Sequence, residues 1–127
     1  LKYFRGTVNN DGEVYAGKYI ALAEDISIAG EEWVPIGDGD DTHQFAGTFD
    51  GAGHEISGLT IGSEADPATP TVVTSGSNSY GYAGFFGRVG KPAVIKNLGL
   101  TDVAIYSKVD GTTRGYVGGL AGRTYLP

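Results

Sequence analysis

The sequence predicts an all-β fold, a single-domain β-solenoid of about three stacked coils that spans residues 1–127. Three observations predict this class. The chain holds 22 glycines but only 5 prolines, and its apolar residues fall in short alternating runs. In addition, two short patterns recur with a period of roughly 35 residues, a length typical of repeat architectures.

The glycine content excludes long regular elements. Glycine costs backbone entropy inside helices and strands, so this number is expected mainly in tight turns and close chain contacts. The best helix-like stretch, residues 19–24, is long enough for only one or two turns. Runs in which apolar and small residues alternate are typical of strands.

The first repeated pattern is a bend followed by a strand. Its copies, offset by 33 and 39 residues, cover 23–28, 56–61 and 95–100. The residue at the bend is Asp25, Gly58 or Asn97, and these residue types best tolerate a left-handed backbone. The sequence therefore predicts a structural turn at the same place in three successive coils.

The second repeated pattern places glycine between short apolar segments. Its copies, offset by 37 and 34 residues, cover 45–49, 82–86 and 116–120. The last copy can also be aligned one residue later, because GLAG at 119–122 matches GFFG at 84–87 as well. The long segment 63–79, rich in Thr, Ser, Pro and Gly, is predicted to leave the wall of the solenoid as a surface loop.

Composition and charge exclude several classes of partner and site. The formal net charge is −6, and no nucleic acid partner is expected because phosphate binding needs a basic face. The lack of cysteine excludes disulfides and thiolate metal sites. No apolar run is long enough for membrane insertion. Residues 1–66 sum to −10 and residues 67–127 to +4, a polarity that suits head-to-tail association or is plain surface variation.

Five segments, in order, carry a family resemblance: WVPIG at 33–37, FAGTFDGAGHEI at 45–56, AGFFG at 83–87, IKNLGL at 95–100 and GGLAG at 118–122. They resemble the GLUG-motif family of secreted and surface-anchored bacterial proteins. The resemblance implies a right-handed parallel β-helix. The family includes adhesin-like proteins and the non-catalytic region of some immunoglobulin A peptidases, so it implies a scaffold or binding module without cofactors.

The family resemblance also bears on location and completeness. It implies an extracellular protein or one on the bacterial cell surface. It covers most of the chain from about residue 19 onward. Members usually have more coils than this chain, so we expect it to be a fragment of a longer surface protein.

Asp50 and His54 lie in a glycine-rich frame and have two interpretations. As a catalytic pair or as metal ligands, they need a third orienting group or ligand. As structural residues, Asp50, Gly51 and Gly53 form a turn between two strands, since aspartate accepts backbone amides and glycine supplies positive φ values. The structural interpretation is favoured, and no catalytic residue or metal ligand is predicted.

The acidic segment at residues 38–41 is a candidate calcium site. Hard cations prefer several carboxylate and carbonyl oxygens on a flexible loop. An EF-hand pattern would need ligands at residues 42 and 49, where the chain has Thr42 and Phe49. A solvated acidic turn is favoured, and the sequence leaves calcium binding open.

Five aromatic residues are candidates for a sugar-binding surface, because flat apolar rings suit extended polymers. They are Trp33, Tyr80, Tyr82, Tyr106 and Tyr116. In the alternative interpretation, Trp33 fastens the first turn inside the fold, while Tyr82 and Tyr116 stack in register within the repeat. The sequence favours this alternative for Trp33, Tyr82 and Tyr116 and does not choose for Tyr80 and Tyr106.

These features predict a non-enzymatic scaffold or adhesion module. It would present loops at 37–44, 63–79 and 106–114 to a host or matrix glycan or protein. A lyase or glycosidase on the same fold is the first alternative, and it requires Asp38, Asp50 and His54 to converge. End-to-end self-assembly is the second, because the open ends of a solenoid expose unpaired strands.

Overall fold

The protein is mostly β-structure. A computed structural model describes residues 1–40 and 42–124, which form one helix and thirteen short strands. The helix is α1 (Lys2–Asn9). The strands are β1 (Tyr19–Ala21), β2 (Ile26–Ser27), β3 (Thr48–Asp50), β4 (Glu55–Ser57), β5 (Thr60–Ile61), β6 (Val72–Ser75), β7 (Asn78–Ala83), β8 (Phe86–Val89), β9 (Val94–Lys96), β10 (Gly99–Thr101), β11 (Ala104–Ile105), β12 (Thr113–Val117) and β13 (Ala121–Thr124).

The helix differs from the sequence expectation. The sequence predicted no helix near the N-terminus, and its best helix-like stretch, residues 19–24, begins with strand β1 instead. Strand formation prevails there because Ile20 pairs with Phe49 in the neighbouring strand, and tertiary pairing overrides a weak helical preference. Within the described residues, no helix is long and apolar enough to cross a membrane.

The strands form small sheets of two or three strands, and nearly all pairings are parallel. The sheet orders are β1-β3-β9, β2-β4-β10, β5-β11, β6-β7-β12 and β8-β13. Each parallel pair joins strands that lie far apart in the chain. The exception is β6 with β7, which form an antiparallel hairpin.

That hairpin corrects the prediction for the long insertion. Residues 63–79 were expected to form a surface loop, but they contain β6 and the start of β7. The two strands meet at a turn that includes Gly76, which has a φ of 62°. Hydrogen bonding between the hairpin strands satisfies backbone groups that a free loop would expose to water.

The strand register matches one of the two sequence repeats. Tyr82 pairs with Tyr116, as the second repeat predicts. Phe86 pairs with Ala121, so the repeat advances by one residue between these strands, which is the alternative alignment of 119–122. The sequence repeat matched Phe45 with Tyr82, but Phe45 forms a bridge with Val89. The first copy, 45–49, is therefore not equivalent to the other two.

The register corrects the other repeat. Ile56 pairs with both Ile26 and Leu100, whereas the sequence alignment matched Ile26 with Leu59 and Leu98. The observed offsets are 30 residues between β2 and β4 and 44 residues between β4 and β10, whereas the alignment used 33 and 39. The connections between strands differ in length, and no single period predicts them.

The buried side chains form a continuous core that is rich in phenylalanine. Phe49 is fully buried, and its ring centroid lies 5.5 Å from that of Phe86 and 6.0 Å from that of Phe85. Helix α1 covers one side of this core, where Phe4 packs against Phe49 and Val8 is fully buried. The helix therefore adds the apolar side chains of Phe4 and Val8 to this side of the core.

Candidate functional site

Asp50 lies at the end of β3 and is held by three hydrogen-bond donors. Its Oδ1 accepts the Ala52 backbone N–H at 2.8 Å and the Asn97 Nδ2 at 3.2 Å. Its Oδ2 accepts the Tyr19 hydroxyl. The Tyr19 hydrogen bond, followed by that of Ala52, lowers the pKa of the Asp50 carboxyl. All three donors stabilise the carboxylate, which thereby links three chain segments distant in sequence.

The turn after Asp50 uses positive φ values. Ala52 has a φ of 52° and Gly53 of 82°. Gly51 instead lies against the bend between β9 and β10, where a Cβ atom would come within 2.4 Å of the Asn97 carbonyl oxygen. Gly51 is therefore required by close chain approach rather than by a left-handed backbone.

The three predicted bend residues do not share one conformation. Gly58 and Asn97 have φ values of 80° and 53°, whereas Asp25 is not in the left-handed region. The Asp25 carboxylate accepts the Glu55 backbone N–H at 2.9 Å and lies 3.1 Å from His54 Nδ1. The equivalence of Asp25 with the other two bends is therefore wrong, which agrees with the corrected register.

Glu32 repeats the arrangement of Asp25, although the sequence did not single it out. Its Oε1 accepts the Gly62 backbone N–H at 2.6 Å. Both carboxylates therefore accept an amide 30 residues further along the chain. This shared offset of 30 residues could have revealed the arrangement, but the sequence alignment used offsets of 33 and 39 residues.

Replacing Asp25 with alanine is expected to lower the melting temperature at pH 7 by a few degrees, because the Glu55 amide loses its acceptor. Hydrogen bonds from Glu55 and then His54 lower the pKa of Asp25 in the folded state. A lowered carboxyl pKa stabilises the fold above the unfolded value of about 4 and ceases to do so as pH falls through the folded value.

The difference in melting temperature between wild type and Asp25→Ala should therefore shrink below about pH 4. Thermal melts from pH 7 to pH 2.5 would measure it. Glu24→Ala, which removes the neighbouring exposed carboxylate, is the control and should change little. A difference that stays constant across this pH range would contradict the assigned role of the Asp25 carboxylate.

Two described residues of the acidic segment, Asp38 and Asp40, accept hydrogen bonds from other parts of the chain or from near neighbours. Asp40 Oδ1 accepts the Thr42 hydroxyl at 2.6 Å and lies 2.8 Å from His43 Nδ1. These contacts, the Thr42 hydroxyl first, hold the pKa of Asp40 far below its usual range. Asp38 is half-buried; burial raises its pKa, and Thr71 Oγ1 donates to it at 3.1 Å.

Calcium binding by this segment stays open. Asp41 lies outside the described residues. Among the residues that the structure does describe, no group of three or more acidic or histidine side chains could hold a metal ion. The contacts of Asp40 fit an acidic turn in which the carboxylate is already hydrogen-bonded by Thr42 and His43.

The three residues required by the enzyme alternative engage different partners. Asp38 is bound by Thr71, Asp50 by Tyr19 and Asn97, and His54 contacts Asp25. An acid–base mechanism needs its two groups on either side of one substrate bond. The contacts of the described residues do not join Asp38, Asp50 and His54 into the acid–base group that a lyase or glycosidase would need.

Trp33 is a core residue. Its side chain is only 2 % exposed, its ring stacks on Phe85 at 5.1 Å, and its Nε1 donates to the Phe85 carbonyl oxygen at 3.0 Å. The Arg5 guanidinium covers the ring at 4.6 Å. Trp33 therefore has no ring face to offer a sugar, which overturns its candidacy as a surface binding residue.

Tyr80 and Tyr106 lie on different elements. Tyr106 follows β11 and is 41 % exposed. Tyr80 is half-buried in β7, pairs with Arg114 of β12, and lies 6.2 Å from the Tyr116 ring. Binding by either residue stays a prediction.

Tyr80 lies beside Tyr116, another aromatic candidate, and beside two arginines that the sequence did not single out. We define the aromatic–arginine patch as Tyr80, Tyr116, Arg114 and Arg123. The Arg123 guanidinium carbon lies 5.1 Å from the Tyr116 ring centroid and 5.8 Å from that of Tyr80, while Arg114 lies 6.0 Å from Tyr80. Tyr82 stacks on Tyr116 at 5.6 Å beneath this surface.

Comparison with models of known families, with curated proteins and with solved structures finds no match for this chain. The resemblance to the GLUG-motif family therefore rests on the five sequence segments and stays a prediction. What supports a function is the geometry of the described residues, chiefly the parallel register and the aromatic–arginine patch.

Proposed function

We propose that this chain is a right-handed parallel β-helix of about three coils that serves as a non-enzymatic scaffold or adhesion module on the bacterial cell surface. The parallel register supports the architecture. The β1-β3-β9 and β2-β4-β10 orders stack three strands at two neighbouring positions, as coils of one solenoid would. Right-handedness follows the strong preference of parallel crossover connections.

The aromatic–arginine patch on β7, β12 and β13 carries the adhesion proposal: Arg114 is exposed, and the other three residues are half-buried. In a solenoid, strands at equivalent positions of successive coils form a rigid wall, and side chains on that wall keep fixed spacings. Tyr80 and Tyr116 lie on such neighbouring strands, 6.2 Å apart between ring centroids. A rigid row of aromatic rings suits a host or matrix glycan or protein without any bond being made or broken.

A glycan-array screen of the purified chain tests this function. We expect specific binding that Tyr80→Ala reduces at least tenfold, because one ring of the row is removed. Tyr3→Ala is the matched control, since Tyr3 is 85 % exposed on α1 and distant in sequence from the patch. Binding that both variants retain, or that both lose, would contradict a site at Tyr80.

End-to-end association is a second candidate, favoured by the graded burial of the coils. In the middle coil Phe49 and Ile56 are fully buried, whereas Ile95 and Leu100 at the paired positions of the last coil are only half-buried. A further coil stacked there would bury them. Light scattering after size exclusion should show mass rising with concentration, and a constant monomer mass would contradict it.

A further inference from the structure

The strands of residues 94–124 lie at one edge of every sheet. Within the described residues, β9, β10, β11, β12 and β13 each pair on one side only. At five paired positions the apolar residue of this segment is more exposed than its partner, namely Ile95 against Phe49, Leu100 against Ile56, Ile105 against Ile61, Val117 against Ala83 and Ala121 against Phe86. An edge of this kind presents unpaired backbone groups and apolar surface to a further strand.

The hydrogen bonds of β9 and β10 show which of their backbone groups face away from the sheets. The Val94 N–H donates to the carbonyl oxygen just before β3, and the Gly99 N–H donates to the one just before β4. Consecutive residues of a strand direct their N–H and C=O groups to opposite sides. The backbone groups of Ile95 and Leu100 therefore point to the open edge.

Strands β1 and β2, at the other edge of the same two sheets, offer complementary groups. The Leu22 N–H bonds to β3 and the Ile28 N–H bonds to β4. By the same alternation, the backbone groups of Tyr19, Ala21 and Ser27 point away from the sheets. These three residues are exposed, and among the described residues no strand pairs with them on that side.

The two pairs of edge strands match in spacing and in charge. Paired positions are 6 residues apart in β1 and β2 (20 to 26), 7 in β3 and β4 (49 to 56) and 5 in β9 and β10 (95 to 100). Spacings that differ by one residue therefore already pair side by side in this protein. Residues 18–32 carry four acids and one base, and residues 91–108 carry one acid and three bases, so the two edges attract each other.

We infer that β9 and β10 of one chain pair in parallel with β1 and β2 of a second copy, head to tail. This inference rests on the end-to-end association proposed above and names its partner and its polarity. With Ile95 opposite Ile20, the Ile95 N–H would donate to the Tyr19 carbonyl oxygen of the second copy, and the Ala21 N–H of that copy would donate to the Ile95 carbonyl oxygen. The contact would also bury the half-buried side chains of Ile95 and Ile20.

Analytical ultracentrifugation over a range of protein and salt concentrations tests the inference. A head-to-tail contact leaves one end free in every oligomer, so growth does not stop at the dimer. We expect the mass to rise with protein concentration beyond that of two 13.2 kDa chains and to fall as sodium chloride screens the two edges. An association that stops at the dimer, or one that salt does not weaken, would overturn the head-to-tail contact.

Proline at an outward N–H blocks one end of the chain only. Ala21→Pro removes a donor that the second copy needs but no hydrogen bond of the β1–β3 ladder, so its melting temperature should stay near that of wild type. We expect this variant to be monomeric by itself. Added in excess, it should shorten the oligomers of wild type, because its β9 and β10 edge is intact.

Two further variants control for folding and position. Ala21→Ser keeps the N–H and should associate like wild type, whereas Ser27→Pro makes the same test on β2. Association of both proline variants at wild-type strength would overturn the pairing of β1 and β2 with a second copy, while end-to-end association through another surface stands. A constant monomer mass of the wild type would overturn both, and the adhesion proposal is tested separately by the dependence of glycan binding on Tyr80.

Discussion

Replacing Phe49 with alanine is expected to lower the free energy of unfolding by about 3–5 kcal/mol, the usual cost of deleting a large buried ring. Phe49 has no exposed surface, and its ring packs against Phe4, Phe45, Phe85 and Phe86. The rings come from α1, from β8 and from the residues next to β3 and β8, so the cavity would weaken contacts among several chain segments at once. Urea denaturation monitored by circular dichroism would measure the loss.

Val94→Ala is the matched control for that substitution. Val94 begins β9, the strand that pairs with β3, but its side chain is 46 % exposed. Its truncation should cost less than about 1 kcal/mol, the range of strand preferences at exposed positions. Similar losses for Phe49→Ala and Val94→Ala would show that Phe49 is not at the centre of the core.

Replacing Gly51 with alanine is expected to destabilise the protein by about 3 kcal/mol, the upper end of the usual range for overpacking. The new Cβ would lie 2.4 Å from the Asn97 carbonyl oxygen and 2.6 Å from the Leu98 Cα atom. Both are backbone atoms of the segment between β9 and β10, so the two chain segments themselves must separate. The free energy of unfolding from urea titration is again the measured quantity.

Substitutions at two other glycines serve as controls. They separate the cost of the close chain contact at Gly51 from the cost of adding a methyl group or of backbone strain. Gly111 has open space around its Cβ position, so Gly111→Ala should change stability by less than about 0.5 kcal/mol. Gly53 also has open space but a φ of 82°, so Gly53→Ala should cost roughly 1–2 kcal/mol of backbone strain. A Gly51→Ala loss no larger than that of Gly53→Ala would contradict the close approach of Gly51 to the Asn97–Leu98 backbone.

The sequence predicted strands more reliably than their pairing. Alternating apolar residues identify Ile56 and Leu100 as inward positions, because one face of a strand is buried. The sequence alignment instead matched Ile56 with Ile95, five residues before its observed partner Leu100. The register depends on connection lengths, and these are set by contacts far apart in the chain.

Helix α1 was missed for a related physical reason. Its eight residues contain Gly6 and the β-branched Thr7 and Val8, which have weak intrinsic helical preference. Packing of Phe4 on the aromatic core supplies the stabilisation. Tertiary contacts of this kind leave no local pattern that a sequence can reveal.

The candidate site was predictable only in part. Stacking of Tyr82 on Tyr116 follows from the repeat, because the two residues hold equivalent positions and pair across the neighbouring strands β7 and β12. The position of Arg123 beside both Tyr80 and Tyr116 does not follow, since β13 advances by one residue relative to β12. Trp33 was a candidate because exposure cannot be read from residue type alone.

The register of the parallel strands is tested most directly by backbone nuclear Overhauser effects in the isotopically labelled protein. Stacked coils predict amide-to-Hα contacts that join Ile20 with Phe49, Phe49 with Ile95, and Ile56 with Leu100. They also predict Hα-to-Hα contacts only in the β6–β7 hairpin, because such contacts mark antiparallel pairs. Hα-to-Hα contacts between successive strands such as β3 and β4 would show an antiparallel meander and contradict the solenoid.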